Sequence, residues 1–515
     1  FEQALVDLGY DDVVNDFVLT ANISGVTSLD INNEGISDLT GIESFTALTW
    51  LDCGGNQLTS LDMSANTALN TLGCNQNQLT SLNLIYNTAL VNLVCYSNQL
   101  TSLDVSNNTA LTYLHCESNQ LTSLDVSNNS ALETLKCNYN LLTTLNLSAN
   151  TALTGLSCDN NQLTSLDLSA NTDLTNLECQ SNQLTSLDVS ANTALTSLNC
   201  SSNQLTSLDV SANTAITDLD CRNNELTTLD VSSNTALTEL QCNNNQLTSL
   251  DVSANTALTH LETQDNSLTS LDVSANTALT ELRCFTNQLT SLDVSSNTIL
   301  NTLQCWNNQL TYLNMKNGVT EGLVAFEASG NSLTCIETLD PDYATANWTY
   351  ANGNIDDGVT FADICYASNP SYTYVPDDNF EQALIDLGYD DVLDDYVLTA
   401  NISGITDLDV REKEISDLTG IEAFTALTIL HCEDNQLTIL DVSSNTALTH
   451  LFCENNQLTS LDVSANTALT SLYCGGNQLT SLDVSLNTAL GILHCGDNQL
   501  TTLDVSSNTA LTTLN

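Results

Sequence analysis

Basic residues are almost missing from this chain. Six Lys and Arg stand against 62 Asp and Glu in 515 residues, a formal charge of -56. Repulsion from phosphate excludes nucleic acid and anionic membrane surfaces as partners. No run of 18 apolar residues occurs, so no segment reads as a membrane-spanning helix. Proline is confined to Pro341, Pro370 and Pro376. Catalytic groupings are missing too: no Ser/His/Asp set, no distinct carboxylate pair, no Gly-rich phosphate loop and no zinc-ligand spacing stands out. Ser, Asp and His are present, but they recur with the chain's internal period, as scaffold residues do. The expectation is therefore not an enzyme, and no cofactor. No signal peptide is visible. The chain opens at Phe1 inside a motif that recurs complete at Asp378–Asn379–Phe380, and it stops within a repeat. Both features predict a piece of something longer.

What is present is a 21-residue unit, exemplified by LTSLNCSSNQLTSLDVSANTA at Leu195 to Ala215. It recurs thirteen times without insertion from Leu48 to Thr320, returns at Leu427 and is still running at Asn515. Counting its first Leu as position 0, positions 0, 3, 5, 10, 13 and 15 are apolar. A unit this small cannot bury its own apolar edge, so units must stack, each touching only its neighbours.

The pattern LxxLxCxxNxL resembles the leucine-rich repeat family, with Cys at the third apolar site. The near-copy LxxLDVSxN in the second half resembles the 21-residue nested bacterial subclass. The resemblance covers most of the chain and implies a β-dominated α/β solenoid, a parallel-sheet right-handed superhelix. At strand spacing, thirteen units span about 60 Å.

The organisation reads as two tandem arrays. Residues 1–47 form an N-terminal cap and a first variant repeat. Phe1, Ala4, Leu5 and Leu8 follow helical spacing and Gly9 ends the run. Residues 48–320 hold the thirteen repeats, and 321–365 a C-terminal cap. Residues 366–376 have linker composition. Residues 377–426 repeat the entry cap, since 380–427 align with 1–48 without a gap. Residues 427–515 form the second array.

Sixteen of 18 cysteines fall in one column, broken only at Thr263. Side chains stacked at strand spacing point the same way, whereas a disulfide needs converging Cβ vectors. The column therefore reads as buried free thiols acting as small hydrophobes. Cys335 and Cys365 lie outside it and enclose 29 residues with Trp348, Phe361 and Ile364. A disulfide between them would clasp a cap and imply an oxidising compartment. This segment resembles C-terminal caps of secreted bacterial leucine-rich proteins.

Two Asn columns, Asn56 to Asn308 at position 8 and Asn66 to Asn297 at position 18, read as structural ladders at opposite turns. Position 14 is mostly Asp, from Asp62 to Asp504 with Asn83, Asn146 and Asn314 substituting. Its carboxylates repel at strand spacing. Hydrogen bonds from nearby Ser and Thr with diffuse counterions relieve that in the favoured reading, and ordered calcium in the other. Asp11, Asp12 and Asp16 likewise read as a solvated loop, since they lack the spacing of a calcium loop. Thr59, Ser60 and Ser64 make the back flat and polar, which leaves ice binding as a minor alternative.

The informative residues break the repeat. Positions 2, 4, 6 and 7 flank the strand and are expected on the inner, concave face. They include Trp50, Tyr96, Tyr113, His115, Lys136, Tyr139, Arg222, His260, Arg283, Phe285 and Trp306. In the second array they include His431, His450, Phe452, Tyr473 and His494. All five histidines belong to this set. Drift at exposed positions is the plain explanation. Yet the equally exposed back half scarcely varies, and that asymmetry favours a recognition face. The chain resembles secreted surface leucine-rich proteins of the Bacteroidetes type, which implies an extracellular or cell-surface adhesin gripping a protein or glycan. The alternative is a spacer or fibre subunit that contacts other copies.

Overall fold

The computed structural model describes residues 1–365, 369 and 371–515. Its chain divides into two compact units, Phe1–Asp363 and Ile364–Asn515.

In the first unit fifteen short strands, from Ser28–Asp30 to Ala325–Glu327, form one parallel sheet. Each regular strand covers positions 2 to 4 of a repeat. Its central Leu stands level with the Leu of each neighbouring strand, as Leu198, Leu219 and Leu240 do. The strand is short because position 7 turns the chain with a left-handed backbone. Ser202 has φ 53 and Asn223 has φ 54, and the column continues so from rung to rung. Asn, Asp, Ser and Gly dominate that column, and Asn, Asp and Gly are the residues that take this conformation most readily.

The apolar positions converge on one core. Leu195, Cys200, Leu205 and Val210 are fully buried, while Leu208 at position 13 is 7% exposed. Burying a Leu side chain is worth about 2 kcal/mol, and each rung repeats that gain. The sixteen column cysteines are free and buried. Thr263 takes the same place, fully buried, with its hydroxyl donating to the Arg283 carbonyl at 3.4 Å.

The back half of each rung is mostly irregular. Only near the end of this unit does it form parallel strands, Ser291–Asp293, Tyr312–Asn314, Cys335–Glu337 and Thr360–Ala362. Beyond the last rung a helix, Pro341–Asn347, starts at Asp340, whose carboxylate accepts the Tyr343 N–H at 2.9 Å. Trp348 follows, 6% exposed, with ring centroids 4.4 Å from Phe326 and 5.9 Å from Phe361. Cys335 and Cys365 are disulfide-bonded, as their isolation from the column predicts.

The entry helix spans Glu2–Asp7, and Gly9 follows it with φ 79. Glu2 gathers the backbone N–H groups of Asn15, Asp16 and Phe17 at 2.8–3.1 Å. That carboxylate folds the acidic loop containing Asp11, Asp12 and Asp16 back on the helix.

In the second unit six parallel strands run from Asp407–Asp409 to Thr513–Leu514. Its entry helix, Asp378–Asp386, is capped by Asp377, whose other oxygen accepts from Ser416 and Asp417. Of the stretch with linker composition, Tyr366, Ala367, Ser368 and Pro370 lie outside the described residues. Tyr372–Tyr374, from the same stretch, forms a strand antiparallel to Tyr396–Leu398.

Candidate functional site

Two Asn ladders hold the scaffold behind the strand face. At position 8, Asn77 donates to the carbonyls of Cys53, Cys74 and Asn75 at 3.0–3.2 Å and accepts the Leu58 N–H at 2.9 Å. At position 18, Asn87 donates to the carbonyls of Met63 and Asn66 at 2.9 and 3.0 Å, and its own side-chain oxygen has no partner.

On the back, Asp188 accepts the Ser190 N–H at 2.9 Å, and Asp209 does the same with Ser211. Ser hydroxyl and N–H together hold these carboxyls below their ordinary range. Hydrogen bonding from Ser is thus how the stacked column is relieved. Among the described residues no group of three or more His, Cys, Asp or Glu is arranged to hold a metal ion.

The strand face is different in kind. Of the sixteen repeat-breaking residues singled out in the sequence, fifteen are half-buried and Tyr139 is exposed. Tyr139 occupies position 7 with φ 51, so it stands on the turn after the strand. Trp50 is half-buried on its strand.

The other residues gather in separate groups. Tyr96 stacks on His115 at 4.5 Å, and Tyr113 meets the same ring edge-on at 6.3 Å. His115 Nε2 lies 2.8 Å from Glu117, and Lys136 stands beside His115 on the next strand. Four rungs further on, Arg222 contacts Asp220 at 3.3 Å. Near the far end Arg283 bridges Glu281 and Glu262 at 2.6 and 3.3 Å, and His260 faces Glu281 at 4.0 Å. Phe285 lies flat on Trp306, with centroids 4.3 Å apart and planes 9° from parallel. Tyr113 and Glu281 are eight rungs apart, about 38 Å at strand spacing, so the first and last groups never meet.

In the second unit one column of rings is continuous. His431, Phe452 and Tyr473 stack in sequence at 4.4 and 4.8 Å, and His494 follows 4.5 Å from Tyr473 with its plane tilted by 58°. His450 lies beside it, 6.4 Å from Phe452.

Several participants escaped sequence reading. Arg411, in the variant repeat, pairs with Asp409 at 2.8 Å and Glu433 at 3.1 Å. Its neighbourhood is visible only once rungs are stacked. The strand-face carboxylates Asp218, Asp220 and Glu454 do stand at the repeat-breaking positions 2, 4 and 6 that the sequence marks; what spacing does not reveal is their burial. Burial pushes Asp159, Asp218 and Asp220 above the ordinary carboxylate range, outweighing the pull of Arg222 on Asp220. Glu454 is raised for the same reason, against the pull of His494.

Comparison with known proteins fits this geometry. A model described as Leucine Rich repeats (2 copies) matches residues 446–488. Internalin J of Listeria monocytogenes serotype 4b (strain F2365) is 39% identical over 61 residues, a match that spans 12% of this chain and only 7% of the internalin. The solved functional domain of InlJ from Listeria monocytogenes, which includes a cysteine ladder, is 31% identical with a TM-score of 0.41. That comparison covers 92% of this chain and 73% of the domain. The plant peptide hormone receptor RGFR1, solved in complex with RGF2, shares the fold at 20% identity and a TM-score of 0.55, covering 93% of this chain and 87% of the receptor. With 31% identity across nearly three quarters of a solved bacterial relative, and a matching repeat model, the chain belongs to the leucine-rich repeat family.

Proposed function

We propose that this chain is an extracellular binding protein of a bacterial surface that attaches to a protein partner through its strand faces. One observation carries the reading. Rings, guanidinium groups and half-buried carboxylates concentrate on the strand side, while the back repeats Ser–Asp pairs that already satisfy one another. A rigid solenoid offers a long contact surface at little ordering cost, and aromatic and Arg anchors usually carry most of the affinity. The Cys335–Cys365 disulfide supports an oxidising compartment. Similarity to Internalin J supports placement at a cell surface.

A protein partner is favoured over a glycan by ring geometry. Sugars stack on aromatic faces, but Phe285 and Trp306 cover each other, and so do the rings from His431 to Tyr473. What these stacks present outward is mostly ring edge.

The test is an array of extracellular proteins and glycans probed with labelled chain. Replacing Tyr113, His115 and Arg222 by Ala should abolish the hits with little change in melting temperature. Replacing Ser106, Ser190 and Ser211 on the back should leave them. The opposite pattern would place recognition on the back and end this reading.

A further inference from the structure

The same entry cap occurs twice in this chain, and in the second unit a strand is seated on its edge. Tyr372–Tyr374 pairs there with Tyr396–Leu398, Thr373 standing opposite Val397. Just beyond that pairing, the Thr399 N–H donates to the Ser371 carbonyl and the Val375 N–H to the Asp395 carbonyl, both at 2.8 Å. Val375 is fully buried and packs over Gly420. The Asp377 carboxylate then accepts the N–H groups of Ser416 and Asp417 at 2.9 and 3.0 Å.

Residues 380–427 align with 1–48, so each of these partners has a counterpart in the first unit. Phe17, Val18, Leu19 and Thr20 match Tyr396 to Thr399, and Ser37, Asp38 and Gly41 match Ser416, Asp417 and Gly420. Among the described residues no strand pairs with Phe17–Leu19, and no group accepts the N–H of Thr20, Ser37 or Asp38. Phe17 is 80% exposed, and Leu19 is 66% exposed against 36% for Leu398. The backbone is nonetheless already set. Asp16 and Asp395 share a left-handed turn, φ 70 and 67, and Gly41 and Gly420 share φ 105 and 104. Glu2 accepts from Asn15 and Phe17 as Glu381 does from Asp394 and Tyr396. The first edge therefore has the shape of the second without its strand.

We infer that the Phe17–Leu19 edge is a docking site for an extended polypeptide segment of the Tyr372–Asp377 kind. Its aromatic residues alternate with Thr and Val, and an Asp follows that accepts from Ser37 and Asp38. The site is distinct from the strand faces, since it lies on the entry cap. A row of open N–H and C=O groups on an edge is a template for one more strand. In such additions main-chain bonds supply affinity and alternate side chains supply specificity. The charge of that Asp is tolerated on an acidic chain because it lands on N–H groups, as Asp377 does. A second copy of this chain is the poorer occupant, because its Tyr372–Tyr374 strand is engaged in its own cap.

The experiment adds the peptide SYTYVPDD, the sequence of residues 371–378, to the full chain. Hydrogen exchange is followed by mass spectrometry in segments 16–22 and 36–40. With free peptide about tenfold above its midpoint, exchange in both segments should slow about tenfold. Segment 395–401, whose edge is already paired, should not change. Thr373→Pro in the peptide removes a strand N–H and should abolish the effect. Asp377→Ala in the peptide should release segment 36–40 and leave 16–22 protected. Joined directly ahead of Phe1, the sequence of residues 371–379 is held at about millimolar local concentration, so weak affinity does not hide the site. A scrambled sequence, free or joined, should protect neither segment. No slowing in the joined form, or equal slowing by the scrambled one, would overturn the inference.

Discussion

The side-chain amide of Asn77 donates to the carbonyl oxygen of Cys53, 3.0 Å away in the preceding rung. The same side chain accepts from Leu58 in that rung, so it closes both a donor and an acceptor that no water reaches. Asn77→Ala leaves the Leu58 N–H without a partner, whereas the Cys53 carbonyl keeps the Asn56 amide at 2.9 Å. The expected loss is about 1 to 3 kcal/mol, the cost of one buried group left unpaired. Asn87 only donates, to carbonyls that have a second lone pair, so Asn87→Ala should cost less. Urea unfolding of both variants checks the order, and equal losses would contradict it.

Cys335 and Cys365 close a loop of 29 residues over the last rung. Constraining a loop of that size stabilises by about 3 to 4 kcal/mol. Cys335→Ser with Cys365→Ser should lower the melting temperature by several degrees, and a reductant should do the same to the unmodified chain without affecting the double variant. Calorimetry with and without reductant decides it.

Much of this architecture was legible in the sequence because stacking converts a 21-residue period directly into columns. The buried Leu set, the thiol column, the Asn ladders and the isolated Cys335–Cys365 pair all follow from period and exception. What stayed hidden depends on neighbours one rung away. Position 7 was grouped with the strand face, yet Tyr139 sits on a left-handed turn. The preference for Asn, Asp, Ser and Gly in that column was the available signal. Ring stacking between Phe285 and Trp306, or the pairing of Arg411 with Glu433, requires rotamers that spacing alone does not set.

Two aspartates should respond to pH with opposite sign. Asp159 is raised in the folded chain, chiefly by burial, with Glu178 and Glu117 adding to it. Ionising it therefore costs folded stability, and that cost appears as pH rises through the ordinary carboxylate range. Asp188 is lowered by Ser190, so its contribution is present above that range and disappears as pH falls. Relative to the unmodified chain, Asp159→Asn should gain melting temperature between pH 3 and pH 7, whereas Asp188→Asn should lose it. Melting curves at both pH values test the pair, and shifts of the same sign in both would refute the assignment.

The thiol column predicts steep alkaline unfolding. Burial pushes Cys116 and Cys200 up to about 12, and the remaining column thiols are raised as well. Below about pH 8.5 the thiols are protonated in both states and do not affect the balance. Above it the unfolded chain ionises its cysteines while the folded chain does not, so stability falls as pH rises toward 12. Each thiol contributes about 1.4 kcal/mol per pH unit in that window, and twelve column cysteines share the first unit's core. The chain should thus hold at pH 8 and collapse within a narrow interval above pH 9. Replacing Cys116, Cys158 and Cys200 by Val, which cannot ionise, should move that interval upward. At pH 8 a thiol reagent should leave the folded chain nearly untouched, with Cys495, 8% exposed, reacting first, and should find sixteen thiols after denaturation. Rapid labelling of the folded column, or sulfur–sulfur bonds between successive rungs, would show that the stacked thiols are neither sealed nor parallel.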